Sequence, residues 1–210
     1  MPSSPPTVSL AQALDRASDL AAAGGRRLLG IAGPPGVGKS TLSALLAQRL
    51  GGTMVVVGMD GFHLANAELV RLGRRERKGA PDTFDVDGYV TLLHRLRSQQ
   101  ASLYAPLFDR DIEESIGSAV RVAPEVPLVV TEGNYLLFDD HGWGGVRPEL
   151  DEVWYLRLDD AERRRRLIRR RLGHGDTPEH AEHWVFSVDE PNAARVASTR
   201  VRADLVVEMG

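Results

Sequence analysis

The sequence predicts an α/β fold, a five-stranded parallel sheet with helices on both faces. Three observations predict it. Five short apolar runs, residues 28–32, 53–57, 127–132, 153–158 and 204–207, read as buried strands. They alternate with stretches of helical periodicity at residues 10–23, 41–50, 87–96 and 161–172. Between the first strand and its helix stands Gly33-Pro34-Pro35-Gly36-Val37-Gly38-Lys39-Ser40-Thr41, which matches G-x-x-x-x-G-K-[ST].

Taken in order, residues 1–8 lack a secretory pattern and read as a frayed tail. The helix that follows ends at Gly24-Gly25, a suitable C-cap. The glycine-rich turn comes next. Glycines at Gly33, Gly36 and Gly38 let backbone N–H groups converge on phosphate oxygens, and the helix N-terminus adds a favourable dipole. In such a loop Lys39 neutralises β- and γ-phosphates and the Ser40 hydroxyl ligates Mg²⁺. The composition sharpens this reading. The chain holds 24 arginines and only two lysines, Lys39 and Lys78, so a lysine in the loop answers a need for a compact point charge.

The second strand runs out at Met59-Asp60-Gly61-Phe62-His63. A carboxylate there suits a group that takes the proton of a phosphoryl acceptor, although Asp-Gly also suits a plain turn. The polar run from Arg74 to Asp85 reads at Arg74 and Arg75 equally as solvated surface or as a binding segment, and at Arg77 and Lys78 rather as a binding segment. Residues 104–122 suggest a small hairpin outside the main sheet. The third strand ends in Glu132, followed by Asn134; a carboxylate here supports Mg²⁺ or caps the turn. The fourth leads into Asp159-Asp160-Ala161-Glu162, a capping-box-like helix start. Seven arginines follow between Arg163 and Arg171, with Arg163, Arg166 and Arg170 on one face. A cationic lid closing on an anion accounts for some of them, arginine-biased surface composition for the rest. Ligands in an open parallel sheet sit at the carboxyl ends of its strands, so Asp60, Glu132 and the loop share one edge.

Composition bounds the rest. The 210 residues suit one domain, 42% are hydrophobic, and the net charge of −3 gives no electrostatic reason to expect nucleic acid. No apolar run approaches membrane-spanning length. The absence of cysteine excludes disulfides and thiolate zinc sites, and the cytoplasm is the simplest location.

Together with Arg77-Lys78-Gly79-Ala80-Pro81-Asp82-Thr83-Phe84-Asp85, Thr131-Glu132-Gly133-Asn134-Tyr135-Leu136-Leu137 and Ser187-Val188-Asp189-Glu190-Pro191-Asn192-Ala193, these motifs resemble a known superfamily. It is that of the P-loop kinases related to uridine kinase, phosphoribulokinase and bacterial pantothenate kinase, in the nucleoside kinase-like (fructose transport system kinase-like) branch. The resemblance spans residues 28–207. It implies a P-loop NTPase fold, often dimeric, that uses ATP and Mg²⁺ and has a small-molecule acceptor. It also implies nucleotide contacts from Gly33, Pro34, Gly36, Val37, Gly38, Lys39, Ser40 and Thr41, with Asn192 near the base. Asp60 is implied as catalytic base, with Ser40 and Glu132 at the metal or acceptor, and Arg166 and Arg170 as arginines of a lid over about 163–185. Segments 60–85 and 104–122 would wall the acceptor, bringing in Phe62, His63, Arg77, Lys78, Arg110 and Tyr135. The chain departs from uridine kinases at Gly61-Phe62-His63 and at Leu107-Phe108-Asp109-Arg110, which leaves the acceptor open among nucleoside, sugar and pantothenate-like alcohols. A regulatory ATPase acting on a protein partner is the alternative.

Overall fold

The computed structural model describes residues 4–210. Its elements are β1 (Thr7–Ser9), α1 (Leu10–Ala22), β2 (Arg27–Ala32), α2 (Lys39–Leu50), β3 (Met54–Val56), α3 (Asn66–Arg71) and α4 (Val86–Ser98). Then follow β4 (Leu103–Asp109), β5 (Glu114–Val122), β6 (Leu128–Gly133), β7 (Glu152–Arg157), α5 (Asp160–Gly173), α6 (Pro178–Trp184), α7 (Glu190–Ser198) and β8 (Leu205–Glu208). The main sheet runs β1-β8-β7-β2-β6-β3, with every pairing parallel.

Strand β2 is central because its apolar run can be buried on both faces. Leu29 and Ile31 point to one side and meet Ala13 and Ala17 of α1 and Leu42 and Leu46 of α2. Leu28 points to the other, toward Tyr89, Leu93 and Leu96 of α4 and toward Trp143. Because β2, β3 and β6 run in one direction, their following turns open on a common edge.

The sheet has a sixth strand that the sequence reading missed. Residues 7 and 8 belong to β1, not to a frayed tail; it pairs with β8 through Thr7, Val8 and Ser9. Residues 1–3 of that expected tail lie outside the described residues. Three short, mostly exposed residues carry no hydrophobic run to read, and main-chain bonding to the sheet edge holds them. Ser9 then caps α1 in a reciprocal box with Gln12, an S-x-x-Q signal that was present in the sequence.

The hairpin is present as expected. β4 and β5 pair antiparallel as a separate two-stranded sheet, with a bulge between Ala105 and Leu107. It packs on the turn Met59–Phe62, which carries Asp60. Gly61 makes that approach possible: a Cβ there would lie 2.5 Å from the Pro106 carbonyl oxygen. Among the described residues no helix is long and apolar enough to cross a membrane.

Main chain cannot yield as a flexible side chain can, so Gly61→Ala should displace the hairpin and destabilise the fold by about 1–3 kcal/mol. A lower denaturation midpoint, with unchanged far-UV circular dichroism, is the expected reading.

Candidate active site

The glycine-rich turn leaves β2 and enters α2 with Gly38 at the N-cap, in the left-handed region at φ 106°. No side chain caps the helix, so its first N–H groups are open to an anion. Val37 is fully buried beneath the loop and Pro34 is buried beside it, while Ser40 and Thr41 are exposed at the helix start.

The Lys39 ammonium donates to Gly33 O at 2.9 Å, Pro34 O at 3.1 Å and Asn134 Oδ1 at 2.6 Å. Burial lowers its pKa to about 8, while Glu132 and Asp60 favour the charged form and Arg170 and Arg110 oppose it. Ser40 Oγ donates to Glu132 Oε1 at 2.9 Å, with Oε2 at 3.1 Å. Burial raises the Glu132 carboxyl above its ordinary range; Lys39 and the Ser40 hydroxyl pull it back, and Asp60 pushes it up. The start of α2 and the end of β6 thus meet through two side-chain pairs.

Asp60 faces the hairpin, where Arg110 Nη2 lies 3.4 Å from Asp60 Oδ2. His63 Nδ1 is 2.8 Å from Asp60 O, and its ring lies between Phe84 and Phe108 with centroids at 4.0 and 4.7 Å. A carbonyl only accepts, so Nδ1 carries the proton. Burial depresses His63, leaving the neutral ring with Nε2 as an acceptor. Burial also lowers Arg170 below the ordinary arginine value, with repulsion from Arg110 next and Asp189 and Asp60 opposing. The outer face of Arg170 is solvent-exposed, and Arg110, Asp189 and Asp60 are its charged neighbours.

A family model described as an AAA domain matches residues 29–183. A Schizosaccharomyces pombe protein named "Putative uridine kinase C227.14" is 33% identical over 216 residues, covering 97% of this chain and 92% of its own. Pantothenate kinase of Lacticaseibacillus casei is 28% identical over 147 residues, 61% of this chain and 48% of that protein. The crystal structure of a "putative fructose transport system kinase" from Silicibacter sp. TM1040 superposes with a TM-score of 0.84 at 38% identity, covering 95% of this chain and 98% of that one. The chain belongs to the P-loop kinase superfamily of uridine kinase and pantothenate kinase.

In this P-loop kinase fold the expected site residues divide. Lys39, Ser40, Asp60, His63, Arg110, Glu132 and Arg170 share one charged cluster. Arg166 bonds to Glu162 at 3.0 Å and reaches the loop, with Nη1 3.7 Å from where a Gly38 Cβ would stand. Other residues serve packing. Phe62 is buried against Tyr89, at a 5.0 Å centroid distance. Tyr135 is buried among Phe84, Phe138 and Trp143 and donates to Gly79 O at 2.6 Å, so it belongs to the core rather than to the acceptor wall. Arg77 pairs with Asp82 and braces its own loop. Lys78 bonds Asn66 Oδ1 at 2.8 Å and Glu113 O, and its ammonium lies 5.0 Å from the Phe108 ring centroid. It ties the loop to the hairpin tip.

Two features escaped sequence reasoning. Arg163, expected on the cationic face of α5, is buried; it bonds Asp160 and Glu190 and reaches Pro35 O at 3.4 Å. It anchors α5 to the loop and to α7. Asp189, the last residue of a π-helical turn, Val185–Asp189, lies within electrostatic reach of Arg170, Arg171 and Arg163, a geometry with no reliable sequence signal. Beside the loop, Pro34, Arg163, Glu190, Ala193 and Ala194 border a cavity of about 510 Å³. Asn192 lies on the same α7 but is not among the lining residues.

Phosphate binding favours the charged form of Lys39, whose pKa lies at about 8 rather than near the usual lysine value. Affinity for Mg·ADP should therefore be flat below that pH and weaken above it, by up to about tenfold per unit. Calorimetry between about pH 6.5 and 9.5 checks this, with Lys39→Met as the variant whose profile loses the step.

Proposed function

We propose that the chain is an ATP-dependent phosphotransferase that moves the γ-phosphoryl group of Mg·ATP to a hydroxyl of a small metabolite. The observation that carries the reading is one edge on which Lys39, Glu132 with Ser40, and Asp60 with Arg110 converge from three strand ends and the hairpin. The uncapped start of α2 and Lys39 fit a phosphate tail. Ser40 and Glu132 offer hard oxygen donors for Mg²⁺, an ion usually held by one or two carboxylates plus substrate phosphates. Bound Mg·ATP would supply the phosphoryl group and neutralise charge as it moves.

The chain's own residues would do the remainder. Asp60 orients the acceptor hydroxyl and takes its proton. Arg110 pairs with Asp60 until the acceptor displaces it. Arg170, with Arg166 beside the loop, comes from the lid region 163–185 and stabilises charge on the transferring group. In this reading the acceptor binds beside Asp60, between segments 60–85 and 104–122, with His63 Nε2 receiving a hydrogen bond from a second hydroxyl. With Arg77, Lys78 and Tyr135 committed to the fold, a hydroxyl-rich acceptor suits this wall better than a strongly anionic one. The kinase names of the relatives support the activity class and leave the acceptor among nucleosides, sugars and pantothenate-like alcohols.

A metabolite screen for acceptor-dependent ADP release tests the reading. Asp60→Asn should lower kcat by about 10²–10⁴ while changing Mg·ATP affinity little. Arg170→Ala should lower kcat by about 10³. Nucleotide hydrolysis that no alcohol accelerates, with stable capture of a protein, would replace the kinase reading with the regulatory ATPase.

A further inference from the structure

Lys39 has three N–H donors and all three are taken: two by loop carbonyls, one by Asn134 Oδ1 at the shortest of the three distances, 2.6 Å. The loop carbonyls lie five and six residues from Lys39 in sequence, so any chain that folds this turn presents them. Asn134 is different. It stands 95 residues away, one residue beyond the end of β6, and is there only because that strand pairs with β2. Lysine is donor-only, so the amide is oriented with its oxygen on the ammonium. Its NH₂ then has no protein partner among the described residues. Two residues earlier, inside β6, Ser40 donates to Glu132, so the end of this strand and the residue after it hold both chemical residues at the start of α2.

We infer that Asn134 is a positioning residue for Lys39: its side-chain oxygen fixes the ammonium at the mouth of the phosphate loop, and its free amide N–H faces no competitor for an incoming phosphate oxygen. This rests on the reading of Lys39 as the phosphate-binding cation. Without the third acceptor the long side chain regains rotamer freedom, and one ammonium N–H must find water inside a crowded site. A nucleotide would then have to order the lysine as well as bind it.

The chain's composition supplies a direct probe. With only Lys39 and Lys78, tag-free protein labelled with ¹⁵N,¹³C-lysine gives two side-chain signals, and Lys78, fixed by Asn66 and Glu113, is the internal reference. In Asn134→Leu the Lys39 ammonium signal should move to the free-lysine position or vanish by solvent exchange, with Lys78 unmoved. Mg·ADP should bind about tenfold more weakly, the scale of one hydrogen bond to a charged group. Asn134→Asp, which keeps the acceptor oxygen, should restore the Lys39 signal. Should Asn134→Leu lose the Lys78 signal too, and so be misfolded, Asn134→Ser, polar and too short to reach, carries the same test. A parent-like Lys39 signal, or parent-like Mg·ADP affinity, in the folded removal variant overturns the inference. Failure of the parent protein to bind Mg·ADP would instead strike the phosphate-loop reading, while leaving the lysine spectrum to report on Asn134.

Discussion

A cation placed at the positive end of a helix is repelled by it, and that tension organises this molecule. The open N–H groups of α2 and the Lys39 ammonium lie together, with Arg110 and Arg170 within electrostatic reach. Nothing holds such an arrangement except neighbouring acceptors, and the fold supplies them from distant strands. Carbonyls of the loop and the Asn134 side-chain oxygen accept the lysine's hydrogen bonds, while Glu132 and Asp60 supply charge of the opposite sign. The positive surplus at the loop mouth is what a polyphosphate would neutralise.

The sheet topology makes those neighbours available. Strand β2 lies between β6 and β7, so the turns after β2 and β6 are adjacent by hydrogen-bond register rather than by sequence. Ala32 opposes Gly133, which sets Glu132 and Asn134 against the first turn of α2. Asp60 arrives from β3, the next strand out, and the hairpin closes over it because Gly61 allows main chain to meet main chain. On the far side Arg163, buried and bonded to Asp160 and Glu190, pins the arginine-rich helix to Pro35. Losing one partner of such a buried pair strands a charge and costs about 3–5 kcal/mol. The other arginines of α5 therefore start from a fixed root.

What the sequence made legible was local. The strand–turn–helix around Lys39, the strand ends at Asp60 and Glu132, and the hairpin all follow from apolar runs and turn residues read within short windows. Pairings that span the chain were not legible: Ser40 with Glu132 across 92 residues and Lys39 with Asn134 across 95. Residue type also misled where one chemistry serves two purposes. Phe62 and Tyr135 have rings that suit a substrate, yet the core takes them; Arg77 and Lys78 have charges that suit an anion, yet Asp82 and the hairpin tip take them. β1 escaped because an edge strand of three residues, with only Val8 packed on the core, owes most of its place to backbone bonding.

The central claim is that the open helix end and Lys39 bind through the phosphate chain rather than through the base. Paired calorimetric titrations of Mg·ATP and adenosine test it most directly. The account predicts that Mg·ATP binds at least about a hundredfold more tightly than adenosine, equivalent to roughly 2.7 kcal/mol. Equal affinity for the two, or no heat from Mg·ATP with folded protein, would contradict it.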